Sequence, residues 1–471
     1  MTRTFTLDDQ ALFAQLSGDY NPMHVDPLAA RRLLFGRPVV HGIHALLWVL
    51  DAWLQQHPAP IRIKSLTASF RSPIIVDELV TLVLREAKPG LLRIDITANG
   101  VKLVTVNGTW EIQAPQTPSV QIPSNLPEKG TCRQSTLSEA RSAAGRLQLH
   151  LDRSLAETLF PAALRLLPPE QLAALLATTR LVGMELPGLH SIFTGLELTP
   201  GDLKTPELTF ATESFDDRFS MFAIGVNSPG FKGLLSAAMR PPPMEQATCA
   251  QLRGLITAEE FAGQRALIIG GSRGLGEVAA KSLAMGGADV RFTYHRGASD
   301  AQRIAAEIIA TGGAAACFPY DIAKDAPHLR SLVGDWSPTM LCYFATPFIF
   351  SAVPGRFSST LFRQFCDCYV EGFLNAFQAA KALGSDLNRV ICPSSSAIDE
   401  LPLNMGEYAA AKSASESLCR FLEKTHKNIH FQRPRLPRLA TDQTASLLPV
   451  DNADPTQAIL AILRQNTPSH S

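Results

Sequence analysis

Two groups of residues, one near each end of the chain, are of types that do proton chemistry. Near the start, the string Ser17-Gly18-Asp19-Tyr20-Asn21-Pro22-Met23-His24 holds Asp19 and His24 on one short polar stretch. A carboxylate and an imidazole that close can divide two proton transfers between them, one at a water molecule and one at an acidic carbon. Near the other end, Tyr408 and Lys412 are four residues apart, the spacing that stacks two side chains on one helix face. Ser395 lies 13 positions before the tyrosine. A tyrosine hydroxyl can give its proton to a carbonyl oxygen, and an adjacent ammonium favours the anion left behind. Between the two groups comes Gly270-Gly271-Ser272-Arg273-Gly274-Leu275-Gly276, whose glycines let backbone amides approach a pyrophosphate at a helix N-terminus. Each motif has a plainer reading by itself: Asp-x-Asn-Pro is good turn chemistry, and Tyr-Ala-Ala-Ala-Lys is a good helix. Their presence together in one chain favours the chemical reading.

The elements that must position these residues follow from pattern. After the Asp19 loop, Val39-Val40-His41-Gly42 leads into an apolar run, 43–56, that reads as a buried helix. β-rich stretches follow at 61–70, 79–86, 91–99 and 101–113, separated by the turn signals Lys88-Pro89-Gly90 and Asn99-Gly100. Residues 114–130 carry Pro115, Pro118, Pro123 and Pro127 among polar residues and read as a linker; a second seam runs from Arg240-Pro241-Pro242-Pro243 to Cys249. Three segments result: 1–115, 130–245 and 250–471. In the middle one, 155–179 reads as helical, Val182-Gly183-Met184-Glu185 as a strand or short connector, and 192–198, 207–213, 219–226 and 233–239 as strands. This order echoes the first segment without an Asp-x-x-x-x-His string, as expected of a non-catalytic second copy; an unrelated linker domain is the alternative. In the third segment the apolar strand Arg265-Ala266-Leu267-Ile268-Ile269, the glycine loop, a helix and a second strand at 289–294 form a βαβ unit.

Composition bounds the partners. The chain has 471 residues, 46% apolar and 18% charged, with a formal net charge of zero, so neither a nucleic-acid surface nor membrane insertion is expected. The first ten residues lack the apolar core of a signal peptide, which leads us to expect a cytoplasmic protein. The eight cysteines show no metal-type pair of pairs, so reduced structural thiols and no metal are expected.

With these residues in view, the first segment resembles the MaoC-like (R)-specific hydratases, through Ser-Gly-Asp-x-Asn-Pro-x-His-x-Asp and Val-x-His-Gly. The resemblance implies a hotdog fold, a helix wrapped by an antiparallel sheet. It makes Asp19 and His24 the acid–base pair for water across the α,β carbons of an acyl thioester, with the Gly42 N–H at the helix N-terminus meeting the charge on the carbonyl oxygen. Such hydratases need two hotdogs, so a double hotdog is expected. Family members often carry a hydroxyl residue two turns into the central helix, where Leu50 stands here; support for Asp19 is therefore in question. His41 and His44 are read as structural.

The third segment resembles the short-chain dehydrogenase/reductases, 3-ketoacyl reductases among them, and implies an α/β Rossmann-type doubly wound parallel sheet. Ser395, Tyr408 and Lys412 match its catalytic triad, with Ser394 and Ser396 as rivals to Ser395. Gly270, Ser272, Arg273, Gly274, Gly276 and Lys412 match its cofactor site, and Asp321 and Ile322 its adenine contact. After the second strand Tyr294-His295-Arg296 replaces the acid that would take the ribose hydroxyls of NAD; with His295, and with Arg273 and Arg296 able to pair a 2′-phosphate, this indicates NADPH. Three departures stand out. Phe344-Ala345-Thr346-Pro347 replaces Asn-Asn-Ala-Gly, Gly372 stands where an Asn holds a proton-relay water, and Arg433-Pro434-Arg435-Leu436-Pro437-Arg438 replaces a Pro-Gly pair ahead of Thr441.

The expected fold is thus an α+β hotdog, doubled, followed by the Rossmann-type sheet. The expected activity is bifunctional, reducing a 3-ketoacyl thioester with NADPH and dehydrating the (3R)-hydroxyacyl product to the trans-2-enoyl form in fatty acid or polyketide biosynthesis. The substrate would ride on acyl carrier protein or coenzyme A, with a homo-oligomer formed through the reductase. Alternatives are a hydratase with a non-catalytic reductase-like scaffold, a hydratase/dehydrogenase working in the β-oxidation direction, or an acyl-carrier docking protein using Arg433, Arg435 and Arg438.

Overall fold

The computed structural model describes residues 1–86, 88, 90–113, 120–323 and 326–465. Two compact units divide it: Met1–Pro242 with Ser446–Pro449, and Pro243–Ala445 with Val450–Ser471.

The first unit is built on one ten-stranded antiparallel sheet. Its strands in chain order are β1 (Thr2–Thr4), β2 (Ile61–Phe70), β3 (Leu79–Glu86), β4 (Leu91–Ala98), β5 (Val101–Ile112), β6 (Ala144–Gln148), β7 (Ser191–Pro200), β8 (Glu207–Asp216), β9 (Met221–Asn227) and β10 (Phe231–Met239). The spatial order β1-β3-β4-β5-β2-β7-β10-β9-β8-β6 reads as two four-stranded halves, 3-4-5-2 and 7-10-9-8, meeting at β2 and β7, each with a short extra strand outside. The seam pairs Leu66 with Leu198 and Ala68 with Leu196. Each half wraps a helix, Gly42–Leu54 in the first and Pro169–Arg180 in the second. Helix Gly42–Leu54 is buried from Ile43 to Leu54 without an exposed face, as suits a helix enclosed by sheet. Between β4 and β5, Asn99 and Gly100 both take positive φ (49° and 74°), the type I′ geometry that this pair favours. The hotdog and its degenerate copy therefore form one continuous sheet.

Three expectations change in this unit. Residues 155–179 are not one helix but Arg153–Leu159, Pro161–Leu166 and Pro169–Arg180, because Pro161 and Pro169 cannot continue a helix but can start one. Val182 to Glu185 are neither strand nor connector: a π turn, Leu181–Glu185, extends the last helix. The proline-rich segment is not a loose tether where it is described. Val120 is buried, the Pro123 carbonyl accepts the Leu151 N–H, and Arg133 bonds Met184 through its N–H and Leu189 through its carbonyl. Residues 114–119 and Pro89 lie outside the described residues.

In the second unit six parallel strands, β11 (Arg265–Ile269), β12 (Asp289–Tyr294), β13 (Ala314–Pro319), β14 (Met340–Tyr343), β15 (Arg389–Ile391) and β17 (His430–Gln432), lie in the order β13-β12-β11-β14-β15-β17. This is the doubly wound arrangement, with the order reversing beside β11. A small parallel pair, β16 (Ser394–Ser395) with β18 (Arg435–Leu436), lies beyond the ends of β15 and β17. No helix among the described residues is long and apolar enough to cross a membrane.

Candidate functional sites

In the hotdog unit Asp19 follows helix Leu7–Ser17, whose C-cap Gly18 is left-handed (φ 79°) and turns the chain sharply. Asn21 caps the one-turn helix that carries His24. Asp19 and His24 are both buried, 1% and 8% exposed. His24 Nδ1 lies 2.7 Å from the Val39 carbonyl oxygen; a carbonyl only accepts, so the proton is on Nδ1 and the Nε2 lone pair is left for a substrate proton. Burial pushes the Asp19 carboxyl above its ordinary range, against opposing pulls from His24, Thr179 and Asn21. It holds His24 below its ordinary value, which Asp19 partly reverses. At neutral pH the pair thus pits a carboxyl reluctant to ionise against an imidazole reluctant to protonate.

Support for the carboxylate comes from an unexpected place. Thr179 donates its hydroxyl to Asp19 Oδ2 at 2.7 Å. Thr179 is on the helix of the degenerate half, so the hydroxyl absent at Leu50 is supplied by the other hotdog's helix. The π turn that follows brings Gly183 against the same carboxylate, where an added Cβ would lie 2.1 Å from Oδ1. It also presents the Gly183 carbonyl to Asn21 Nδ2 at 3.0 Å. The second copy lacks an Asp-x-x-x-x-His string of its own yet completes the surroundings of Asp19. Sequence reading missed both residues; a hydroxyl at the end of the second helical stretch was the available signal.

His41 stacks on His24 with ring centroids 3.8 Å apart and reaches the Asp19 carbonyl oxygen at 3.0 Å through Nε2. It also precedes Gly42 as the N-cap of the central helix, with no side-chain cap bond, so that helix end keeps an N–H for a ligand. Asp19, His24 and His41 offer atoms within 4.8 Å of one another, a metal-like grouping that the sequence did not suggest. His41 Nε2 faces the Asp19 carbonyl oxygen and its Nδ1 the Gln10 side-chain oxygen, each at 3.0 Å, which disfavours His41 as a metal ligand.

His44 is fully buried, stacked on Phe13 at 4.6 Å, and among the described residues neither ring nitrogen has a hydrogen-bond partner. Desolvation is the main cause holding His24, His41 and His44 below the ordinary imidazole value. Because the folded-state values are depressed, the stability gained from neutral rings is present above the unfolded value near 6.5 and lost as pH falls below it. Asp19, raised in the fold, has the opposite sign and partly compensates. As pH falls below about 6.5, His41 and His44, held furthest below the ordinary value, should therefore lower stability. His44→Leu should remove one share, read by urea unfolding followed on tryptophan fluorescence.

In the second unit the glycine loop joins β11 to helix Gly274–Met285. An added Cβ at Gly276 would sit 2.1 Å from the Gly270 carbonyl oxygen, and one at Gly271 2.6 Å from Phe292 Cβ, so the loop holds helix and strand closer than any side chain allows. The helix begins after Arg273 without a side-chain cap bond, leaving amides aimed outward as a pyrophosphate requires. Ser272 is buried and Arg273 half-buried. These residues fit a dinucleotide. Gly276→Ala should weaken NADPH binding at least about tenfold, measured by fluorescence titration, since backbone rather than a flexible side chain would have to move. After β12, His295 and Arg296 are exposed; His295 Nε2 is 3.9 Å from Asp321 Oδ2. Asp321 also accepts the Ala323 N–H at 3.0 Å, and Ile322 packs beside Gly372.

Tyr408 and Lys412 share one face of helix Gly406–Thr425. Lys412 Nζ donates to the Pro393 carbonyl at 2.9 Å and lies 5.9 Å from the Tyr408 ring centroid. Ser395 and Ser396 are half-buried and Ser394 is buried, which makes Ser394 the least accessible of the three. Each arginine of the run is paired within the chain. Arg433 pairs with Glu423 at 2.8 Å, and Arg435 pairs with Glu416 at 2.8 Å and Asp399 at 2.5 Å. Arg438 bonds Asn452 at 2.9 Å and the Thr444 carbonyl at 2.5 Å. Arg435 belongs to β18, the strand that pairs with Ser394 and Ser395, so the run braces the serine segment.

Comparison with known proteins agrees with the fold of both regions. Residues 1–105 match the MaoC like domain family, and residues 264–432 the short chain dehydrogenase family. The (R)-specific enoyl-CoA hydratase of Aeromonas caviae is 39% identical over 97 residues, 19% of this chain and 71% of that protein. The chain belongs to the MaoC-like family. This MaoC-like region is joined to a short-chain dehydrogenase/reductase domain. The mitochondrial 3-hydroxyacyl-[acyl-carrier-protein] dehydratase of Arabidopsis thaliana is 35% identical over 92 residues, 18% of the MaoC-like chain and 55% of that protein. A short chain dehydrogenase from Burkholderia cenocepacia, solved in complex with NADP, is 24% identical over 43% of this chain and 89% of its own, with a TM-score of 0.37.

Proposed function

We propose that the chain reduces a 3-ketoacyl thioester with NADPH to the (3R)-hydroxyacyl thioester and dehydrates this to the trans-2-enoyl thioester, in the biosynthetic direction and in the cytoplasm. The reading is carried by one observation: an Asp19–His24 pair completed by Thr179 in the hotdog unit, and a Tyr408–Lys412 pair together with a glycine loop in the other, occur in the same chain. NADPH supplies the reducing equivalent when bound. Gly270, Ser272, Arg273, Gly274 and Gly276 would hold its pyrophosphate, and His295 and Arg296, which stand after β12 in place of an acid, would take a 2′-phosphate. Asp321 and Ile322 would border the adenine. Ser395 would orient the keto oxygen, Tyr408 would give it a proton, and Lys412 would stabilise the tyrosinate left behind.

In the hotdog unit His24 Nε2 accepts the α-proton and Asp19, whose protonated form burial favours, protonates the departing hydroxyl. The Gly42 N–H meets the charge that builds on the thioester oxygen, aided by the dipole of the helix it begins. The named relatives, an enoyl-CoA hydratase and an acyl-carrier-protein dehydratase, support a thioester substrate on either carrier. The test follows NADPH absorbance with acetoacetyl thioesters of coenzyme A and of acyl carrier protein, with products weighed by mass spectrometry. NADPH oxidation with an enoyl product is expected. A supplied (3R)-hydroxyacyl thioester that loses water while neither ketoacyl thioester oxidises NADPH would reduce the activity to the hydratase alone.

A further inference from the structure

The position where the reductase family carries a relay Asn is crowded here. An added Cβ at Gly372 would lie 2.9 Å from Tyr343 Oη and 3.1 Å from both the Asp367 carbonyl oxygen and Ile322 Cδ1. Tyr343 Oη is itself fixed by donating to the Cys368 carbonyl at 2.6 Å. Gly372 closes a π turn, Asp367–Gly372, and such turns aim side chains differently from a regular helix. The side chain aimed at the ammonium comes from within this turn, three residues earlier. Lys412 Nζ lies 4.0 Å from the centroid of the Tyr369 ring, inside cation–π range. The same ring meets Tyr408 edge-on, with centroids 5.6 Å apart.

Tyr369 is buried, 1% exposed. Its hydroxyl is 2.6 Å from Thr346 Oγ1, and Thr346, in the loop that replaces Asn-Asn-Ala-Gly, is exposed. Burial pushes the Tyr369 hydroxyl well above its ordinary value, with Tyr408 adding to the shift. The ring therefore stays neutral beside the cation. Two departures from the family pattern, at Thr346 and Gly372, are thus joined through Tyr369.

We propose that Tyr369 is the positioning residue for Lys412, its ring face holding the ammonium beside Tyr408. The proposal rests on the reductase reading, so its test has a readout independent of turnover. Acetic anhydride labelling of Lys412, mapped by mass spectrometry, should be unchanged in Tyr369→Phe, which keeps the ring. It should be at least fivefold faster in Tyr369→Leu. In NADPH oxidation, Tyr369→Leu should lower kcat at least tenfold with the KM for NADPH within threefold, and Tyr369→Phe should stay within twofold of wild type. Equal labelling of all three proteins overturns the proposal, as does a Phe variant as impaired as the Leu variant. A wild type without NADPH oxidation would sink the reductase reading, while the labelling would still decide the role of Tyr369.

Discussion

Asp19→Asn should lower enoyl-thioester hydration by about 1,000-fold and leave NADPH-dependent reduction unchanged, while Tyr408→Phe should do the reverse. General acid–base groups contribute about 100- to 10,000-fold, and Asp19 has no stand-in. It is buried and its carboxylate is already bonded to Thr179 at 2.7 Å, so a bulk water cannot replace its proton transfer. The amide introduced by Asp19→Asn would keep the volume and could still meet the Thr179 hydroxyl, which separates loss of chemistry from loss of fold. Tyr408→Phe likewise keeps a ring that packs edge-on against Tyr369 and Phe365 and removes only the hydroxyl. Hydration is read from crotonyl-CoA absorbance and reduction from NADPH absorbance, on the same preparations. An Asp19→Asn protein that keeps more than a tenth of its hydration rate would remove the carboxyl from the mechanism, and a Tyr408→Phe protein that oxidises NADPH normally would remove the tyrosine.

How far these sites could be read from sequence depends on how local their determinants are. The glycine loop, the apolar strand before it and the Asn99-Gly100 turn are set by residues within a few positions, where backbone sterics act directly, and all stand as read. The Asp19 environment is different. Its donor, Thr179, is 160 residues away in sequence, and nothing in a window around either residue couples them; only the meeting of two hotdogs in one sheet does. The π turn at Leu181–Glu185 was equally hidden, because its i→i+5 bonding, seen where the Leu186 N–H meets the Leu181 carbonyl at 2.8 Å, follows from packing rather than residue preference. Arg435 shows the same limit for charge. A run of arginines between prolines looks like a solvated patch until Glu416 and Asp399, from two separate helices, are brought to it.

Gly183→Ala should lower hydration about 100-fold although the residue lies in the half without an acid–base pair. Its added Cβ would come within 2.1 Å of Asp19 Oδ1 and 2.5 Å of Cγ, far inside contact distance, so one side must give way. The π turn is poorly placed to move: the Gly183 carbonyl holds Asn21 Nδ2 at 3.0 Å, and the Met184 carbonyl accepts the Arg133 N–H at 2.7 Å. The carboxylate is then the part displaced, away from its Thr179 bond, and a shift of about 1 Å in a reacting group costs about 100-fold. Thr179→Val tests the other half of the clamp. It removes the donor without adding volume, so Asp19 stays in place but loses one of the bonds that favour its ionised form; the acid limb of the hydration pH profile should therefore move to higher pH, with a smaller fall in rate. Unchanged hydration in Gly183→Ala, with circular dichroism like wild type, would mean that the carboxylate tolerates displacement and that the second hotdog supports the first only as scaffold. A 100-fold loss confined to hydration, with reduction intact, would make the degenerate copy the reason that a single acid–base pair in this chain is a working one.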